Sequence, residues 1–196
     1  MKYRWEIINR LIEKYGYKSY LEIGVKDGIC FSRVNCGLKT GVDIKPLILG
    51  KRIVSMESDE FFSLTPSKYG IIFIDGDHRE EQVSRDIQNA LKHLNHGGTI
   101  VMHDCSPPDK KYANEEREED QVLWSGTAYR SFLKLRRTDP DLAMFVVAID
   151  WGCGIIQRGE QRLVDIPDDY TWDDYDANRA KWLNLISIEE FQRRLA

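Results

Sequence analysis

A doubly wound, mostly parallel α/β sheet with helices on both faces is the fold this sequence predicts, and three observations predict it. Short apolar runs of strand length, above all Ile71-Ile72-Phe73-Ile74 and Thr99-Ile100-Val101-Met102, alternate with stretches whose apolar residues recur at helical spacing. Unbroken apolarity over four residues suits strands covered on both faces, as parallel strands are. Polar residues then cluster just after successive strands, where an open α/β sheet gathers its ligand.

The elements follow in order. Trp5, Ile8, Leu11, Ile12 and Tyr15 share a helical face that Gly16 ends, giving an N-terminal helix within residues 1–17. Tyr20–Val25 reads as a strand running into a glycine turn, with a helix from about Gly28 to Asn35. Strands are expected at Leu38–Ile44 and Arg52–Met56, and a short helix at Glu57–Leu64. Behind the Ile71–Ile74 strand, Val83, Ile87, Ala90, Leu91 and Leu94 form a helical face, which Gly97-Gly98 is expected to end. Residues 105–125 are long, charged and hold Pro107-Pro108, the marks of a lid or a disordered excursion. A helix resumes around Thr127–Arg137. Leu142–Ile149 and Ile155–Gln157 then flank Asp150-Trp151-Gly152-Cys153-Gly154 as an antiparallel hairpin. Residues 160–196 form a helical tail, where Asp173, Asp174 and Asp176 suit a helix N-terminus and Ser187-Ile188-Glu189-Glu190 a capping box. No repeat or internal boundary divides residues 1–196, which read as one domain.

Charge narrows the partners. With 28 basic and 32 acidic residues the net charge is −4, which offers no basic surface for nucleic acid. No apolar run approaches the length that spans a bilayer, and the charged N-terminus lacks a signal-peptide core, so a cytoplasmic location is expected. Cys30, Cys36, Cys105 and Cys153 form no C-x-x-C pair and read as reduced thiols.

The residues at the strand ends carry the chemistry. Glu22-x-Gly24-x-x-x-Gly28 allows a sharp turn and a close backbone approach, and its acidic residue favours a cationic ligand over a pyrophosphate. It is not G-x-G-x-x-G, which counts against a nicotinamide-dependent oxidoreductase. Asp43 ends the next strand, where a carboxylate accepts hydrogen bonds from ribose hydroxyls; capping the following segment is its other reading. Asp75-Gly76-Asp77-His78 and His103-Asp104 end two strands that should be neighbours. His78, with a pKa near neutrality, suits a general base working beside Asp75.

Taken in sequence, Glu22-x-Gly24-x-x-x-Gly28, Asp43, Asp75-Gly76-Asp77-His78, Gly97-Gly98 and His103-Asp104 resemble the class I S-adenosylmethionine-dependent methyltransferases. Within them the chain most resembles the branch that includes macrocin-type sugar O-methyltransferases (methyltransferase domain family 24), over about residues 18–158. The resemblance implies a Rossmann-like sheet of seven strands with the last antiparallel, in agreement with the hairpin read above. It implies that Glu22, Gly24 and Gly28 frame the methionine part of S-adenosylmethionine, that Asp43 holds the ribose, that Glu57-Ser58 lies near the adenine, and that Asp75 borders the same site. Lys26 departs from the pattern, standing where the family has a further glycine.

The activity implied is O-methylation of a small hydroxylated acceptor such as a sugar or glycoside, by in-line displacement in which positioning supplies most of the catalysis. Asp75 and Asp104, with His103 beside them, suit a shared Mg²⁺ that lowers the pKa of a bound hydroxyl. Imidazole favours a softer ion such as Mn²⁺, and a metal-free site is the competing expectation. Trp124, Tyr129 and Arg130 suit either a pocket or the core, and Trp172, Tyr175 and Trp182 either packing, a pocket wall or a homodimer contact. A non-catalytic cofactor-binding or interaction protein that keeps the fold is the alternative to an enzyme.

Overall fold

The apolar runs serve two faces at once. In a computed structural model describing residues 1–196, β4 (Tyr69–Ile74) turns Ile71 and Phe73 to one face and Ile72 and Ile74 to the other. The same alternation divides β1 (Ser19–Ile23), with Tyr20 on the first face and Leu21 and Ile23 on the second. The first face is covered by α1 (Arg4–Tyr15), α2 (Ile29–Arg33) and α7 (Ile188–Leu195), chiefly through Ile7, Ile8, Leu11, Cys30 and Phe191. The second is covered by α3 (Ser58–Leu64), α4 (Glu80–Lys92), α5 (Ala128–Thr138) and α6 (Trp172–Trp182), chiefly through Phe62, Val83, Ile87, Phe132 and Tyr175. Two cores, one on each face, hold the sheet between them.

The remaining strands are β2 (Leu38–Asp43), β3 (Ile53–Ser55), β5 (Leu94–Met102), β6 (Leu142–Val147), β7 (Cys153–Arg158) and β8 (Leu185–Ile186). The sheet order is β3-β2-β1-β4-β5-β7-β6-β8, with β7 antiparallel to both its neighbours and every other pair parallel. The hairpin expected around residue 150 is β6–β7. An eighth strand adds to the seven expected: the tail returns to lay two residues beside Val146 and Val147. From β1 the chain moves outward to β2 and β3, then crosses back to β4, so strand order reverses between β1 and β4. The crevice of a doubly wound sheet opens at that reversal.

Two local expectations are corrected. The buried face of α1 is Ile7, Ile8, Leu11 and Ile12, with Trp5 half-buried at its edge, packed against the same core, stacked on Tyr3 and under the Arg33 guanidinium. Tyr15 is exposed. Gly97-Gly98 does not end α4, which stops at Lys92 with His93 as its cap. Instead β5 already begins at Leu94, and the glycines sit in an irregularity of the strand: Leu94 pairs with Tyr69, yet Thr99 pairs with Ile71. Gly97 supplies a left-handed residue, φ 71°. At Gly98 a Cβ would lie 2.7 Å from Leu94 Cγ and 2.8 Å from the Gly70 carbonyl oxygen. The carbonyl belongs to the paired backbone and cannot step aside, so Gly98→Ala should lower unfolding stability by about 1–3 kcal/mol in denaturant melts, whereas alanine at Gly37, where the nearest atom is 4.0 Å away, should cost far less.

Candidate active site

The carboxyl ends of β1 to β5 open on one cleft of about 890 Å³. At its β1 end Gly24 has φ 89°, and a Cβ there would lie 2.1 Å from the Asp75 carbonyl oxygen, so only glycine lets the ends of β1 and β4 come this close. Lys26 adopts φ 48°, the left-handed conformation that a glycine would take without strain. Its N–H donates to Asp43 Oδ2 at 2.8 Å, and the Lys45 N–H donates to Asp43 Oδ1 at 2.8 Å. Asp43 thus ties the loops after β1 and β2 together, and each oxygen keeps lone-pair capacity on the cleft wall. Gly28 does not line the cleft; it turns the chain into α2 at φ 73°, with Ile48 where a Cβ would go.

Glu57 and Ser58 reach the wall beside Met56. Ser58 Oγ donates to Asp86 Oδ1 at 2.6 Å, and Gln82 Nε2 donates to the same oxygen at 3.1 Å. Asp86 Oδ2 has no partner, and burial pushes the carboxyl up to about 6. Glu22 is 1% exposed on the floor of the cleft and accepts a hydrogen bond from the Tyr20 hydroxyl. Burial raises its pKa to about 8, which leaves it largely protonated at neutral pH.

The other half of the cleft is a cluster of charge. His103 Nδ1 lies 3.0 Å from Asp104 Oδ1 and 3.2 Å from Asp75 Oδ1, and Nε2 lies 3.7 Å from Asp150 Oδ1. His78 Nδ1 is 2.8 Å from the Trp124 carbonyl oxygen and 3.2 Å from Asp104 Oδ2, while Nε2 is 3.6 Å from Asp75 Oδ1. The Trp124 indole stacks on the His78 ring at 5.4 Å. Arg4, the first residue of α1, places Nη1 2.6 Å from His103 Nε2 and 3.5 Å from Asp150 Oδ2, with Nε 3.6 Å from Asp75 Oδ2. Burial alone would lower both histidine pKa values, but Asp75 and Asp104 outweigh it and raise them, His103 the more strongly. Burial would raise Asp75, and His103, His78 and Arg4 instead hold it well below the carboxylate range.

Asp75, His78 and Asp104 each offer one ligand atom within 4.8 Å of the others, a spacing that suits a shared cation. The charge does not suit one. Asp75 and Asp104 already face two imidazoles of raised pKa, and Asp75 also faces Arg4. His103, named with them as a ligand, has Arg4 Nη1 2.6 Å from its outer nitrogen, where no ion can enter.

The fold therefore brings Glu22, Gly24, Asp43, Glu57, Ser58, Asp75, His78, His103 and Asp104 to one cleft. Sequence reasoning missed Arg4 and Asp150. Asp150 ends the run Leu142–Ile149 just as Asp75 ends its own, so the strand-end rule applied to the hairpin finds it. Arg4 gives no such signal. The turn that presents Asp150 is fixed by Gly152: its carbonyl accepts from the Cys105 N–H and the Trp151 carbonyl from the Ser106 N–H, which binds the β6–β7 connection to the end of β5. Trp124 joins the cleft, whereas Tyr129, Tyr175 and Trp182 are buried, with Trp172 packed on Tyr129 and Tyr175.

Two variants test this geometry. The folded chain holds the Glu22 proton more tightly than the unfolded chain, where glutamate titrates near 4.5, so Glu22 costs stability increasingly as pH rises from about 4.5 to about 8. Glu22→Gln should therefore gain on wild type across that window, by on the order of 2–4 kcal/mol at pH 8 relative to pH 4.5 in thermal melts. Lys26→Gly relieves left-handed strain of about 1–2 kcal/mol against a backbone entropy cost of about 0.5–1 kcal/mol, and should stabilise the fold by up to about 1 kcal/mol in the same assay.

Residues 49–105 match a family model described as a methyltransferase domain (Methyltransf_24). No curated protein matches the chain. Among solved structures it is similar to the SAH-bound Podospora anserina methyltransferase PaMTH1, at 16% identity and TM-score 0.59 over 82% of this chain and 80% of that one. It is also similar to the O-methyltransferase TomG from Streptomyces achromogenes, involved in tomaymycin synthesis and in complex with SAM, at 11% identity and TM-score 0.57 over 80% and 79%. A third is the MycE methyltransferase of the mycinamycin biosynthetic pathway, in complex with Mg, SAH and mycinamycin VI, at 16% identity and TM-score 0.53 over 82% of this chain and 50% of that one. At such identities the likeness speaks for the fold. The resemblance read from the strand-end motifs is thus met twice: about four fifths of the chain shares the Rossmann-like fold of these methyltransferases, and residues 49–105 match the methyltransferase domain model.

Proposed function

We propose that the chain is an S-adenosylmethionine-dependent methyltransferase that methylates an oxygen of a small hydroxylated acceptor, a sugar or glycoside being the class that the resemblance favours. One observation carries the reading: a single cleft joins Asp43 and the Ser58–Gln82–Asp86 edge at one end to His78 and Asp75 at the other. The first end offers a carboxylate for a vicinal diol and a polar edge for a base; the second offers an imidazole beside carboxylates for a hydroxyl. Neighbours of the same fold hold SAH, SAM or SAH with mycinamycin VI, which supports a cleft that takes a cofactor and an acceptor. Reduced, unpaired thiols agree with a cytoplasmic setting.

S-adenosylmethionine, when bound, supplies an electrophilic methyl on a sulfonium. The chain's own groups do the rest. Gly24 lets the ends of β1 and β4 close on each other beneath the cleft, and Asp43 fixes the ribose. Asp75 and Asp104 raise the His78 pKa, so the base is the form that has lost its Nε2 proton as pH rises. With its Nδ1–H donating to the Trp124 carbonyl, this form presents the Nε2 lone pair to the acceptor hydroxyl and takes its proton as the oxygen attacks. Asp75, 3.6 Å from Nε2, stabilises the imidazolium that results. Trp124 and Trp151 wall the acceptor side and exclude water.

Calorimetry should find micromolar binding of S-adenosylmethionine and S-adenosylhomocysteine, with Asp43→Ala weakening both at least tenfold, about 1.4 kcal/mol. His78→Ala should leave that binding within about twofold and lower kcat on an accepted hydroxyl substrate by about 10²–10⁴. Failure of either nucleoside to bind at millimolar concentration would refute the proposal.

A further inference from the structure

We infer that Arg4 is the resident cation of this site: its guanidinium pairs with Asp75 and Asp150 while His78 and His103 hold Asp104, so that the cluster takes up no metal of its own. The inference goes beyond the methyl-transfer reading, and its first test does not depend on activity.

Arg4 is where a free choice of sequence would not put a cation. It opens α1, and the N-terminus of a helix carries the positive end of the macrodipole. The position is made tolerable from outside the helix: Asp150 Oδ2 accepts the Arg4 backbone N–H at 2.9 Å and lies 3.5 Å from Nη1 of the same residue. One carboxylate therefore caps the helix and pairs with the side chain. Nη1 reaches His103 Nε2 at 2.6 Å, and Nε, which is buried and has no hydrogen-bond acceptor, sits 3.6 Å from Asp75 Oδ2. The anchoring is rigid, because Ile7, Ile8 and Leu11 of the same helix are fully buried against the sheet.

A dication drawn to Asp75 and Asp104 would have to enter beside this fixed charge. A guanidinium cannot lose its proton to make way, unlike an imidazole. Its planar set of donors also spreads over two elements, the ends of β4 and of the β6–β7 connection, which a metal bound to Asp75, His78 and Asp104 would leave unneutralised at Asp150. Arg4 acts through Asp75 and His103, and is in that sense a positioning residue.

The experiment is Mn²⁺ binding, followed by electron paramagnetic resonance at 0.1 M salt, on wild type, Arg4→Lys, Arg4→Gln and Arg4→Gln/Asp75→Asn, each checked for a cooperative melt. Wild type and Arg4→Lys should bind Mn²⁺ no tighter than about 1 mM. Arg4→Gln should bind at least tenfold tighter, and the added Asp75→Asn should abolish the gain, which places the ion in the cluster. If methyl transfer is established, wild-type turnover should be unchanged by EDTA, and Arg4→Gln should lose at least tenfold and recover in part with Mn²⁺, a rescue that a merely structural role would not give. Micromolar Mn²⁺ binding by wild type that Asp75→Asn removes would overturn the inference, as would equally weak binding by wild type and Arg4→Gln. Neither result depends on which acceptor the chain methylates.

Discussion

Three carboxylates, Asp75, Asp104 and Asp150, converge on the ring of His103, two of them within hydrogen-bond distance of one nitrogen, and much of the molecule is arranged to make that density of charge bearable. Buried carboxylates without compensation would take up protons or drive the strand ends apart. Compensation comes from three directions: His103 from its own strand, His78 from the turn after β4, and Arg4 from a helix on one face of the sheet. The residues that hold these groups in place are accordingly spread over most of the chain's length, from α1 to the β6–β7 connection. Asp104, Asp150 and Trp151 all sit at positive φ, at 57°, 48° and 64°, so the cluster is built at some cost in backbone strain.

The second constraint is proximity. Where strand order reverses, the ends of β1 and β4 stand in contact, and Gly24 makes that contact possible, because a Cβ there would lie 2.1 Å from the Asp75 carbonyl oxygen. The opposite solution is used two residues later, where Lys26 takes the left-handed path and Asp43 receives its N–H. A hydrogen bond to a neighbouring strand end thus substitutes for the freedom of a glycine. The same Asp43 contact explains why the departure from the family pattern at Lys26 leaves the loop within reach of the cleft.

What could be read from the sequence was whatever depends on one strand and its immediate successor. Ile71–Ile74 announces a two-sided strand, and Asp75 through His78 inherit their place from it. Gly97-Gly98 looked like a helix stop because glycine pairs end helices and interrupt strands alike, and only pairing with Tyr69 and Ile71 decides between them. Arg4 was invisible for a different reason: its neighbours in the cluster are 71 to 146 positions away, and nothing local distinguishes it from other surface arginines. Trp5 and Tyr15 share a spacing with the buried face of α1, but Trp5 packs only half-buried at its edge and Tyr15 is exposed.

The hydrogen bond from His78 to the Trp124 carbonyl has a consequence for tautomers. A free imidazole divides its single proton between two nitrogens, and only molecules with the proton on Nδ1 have a base at Nε2. Here one acceptor that holds the proton on Nδ1 belongs to the segment between β5 and α5, a stretch with little regular structure of its own, pinned by Tyr112, whose carbonyl accepts from the Ser125 and Gly126 N–H groups. The identity of the basic atom is therefore set from outside the turn that carries the histidine, by this covering chain together with Asp104, whose Oδ2 lies 3.2 Å from the same Nδ1. A molecule in which that segment is displaced would keep every residue of the site but only one of the two acceptors, Asp104, that hold the proton on Nδ1.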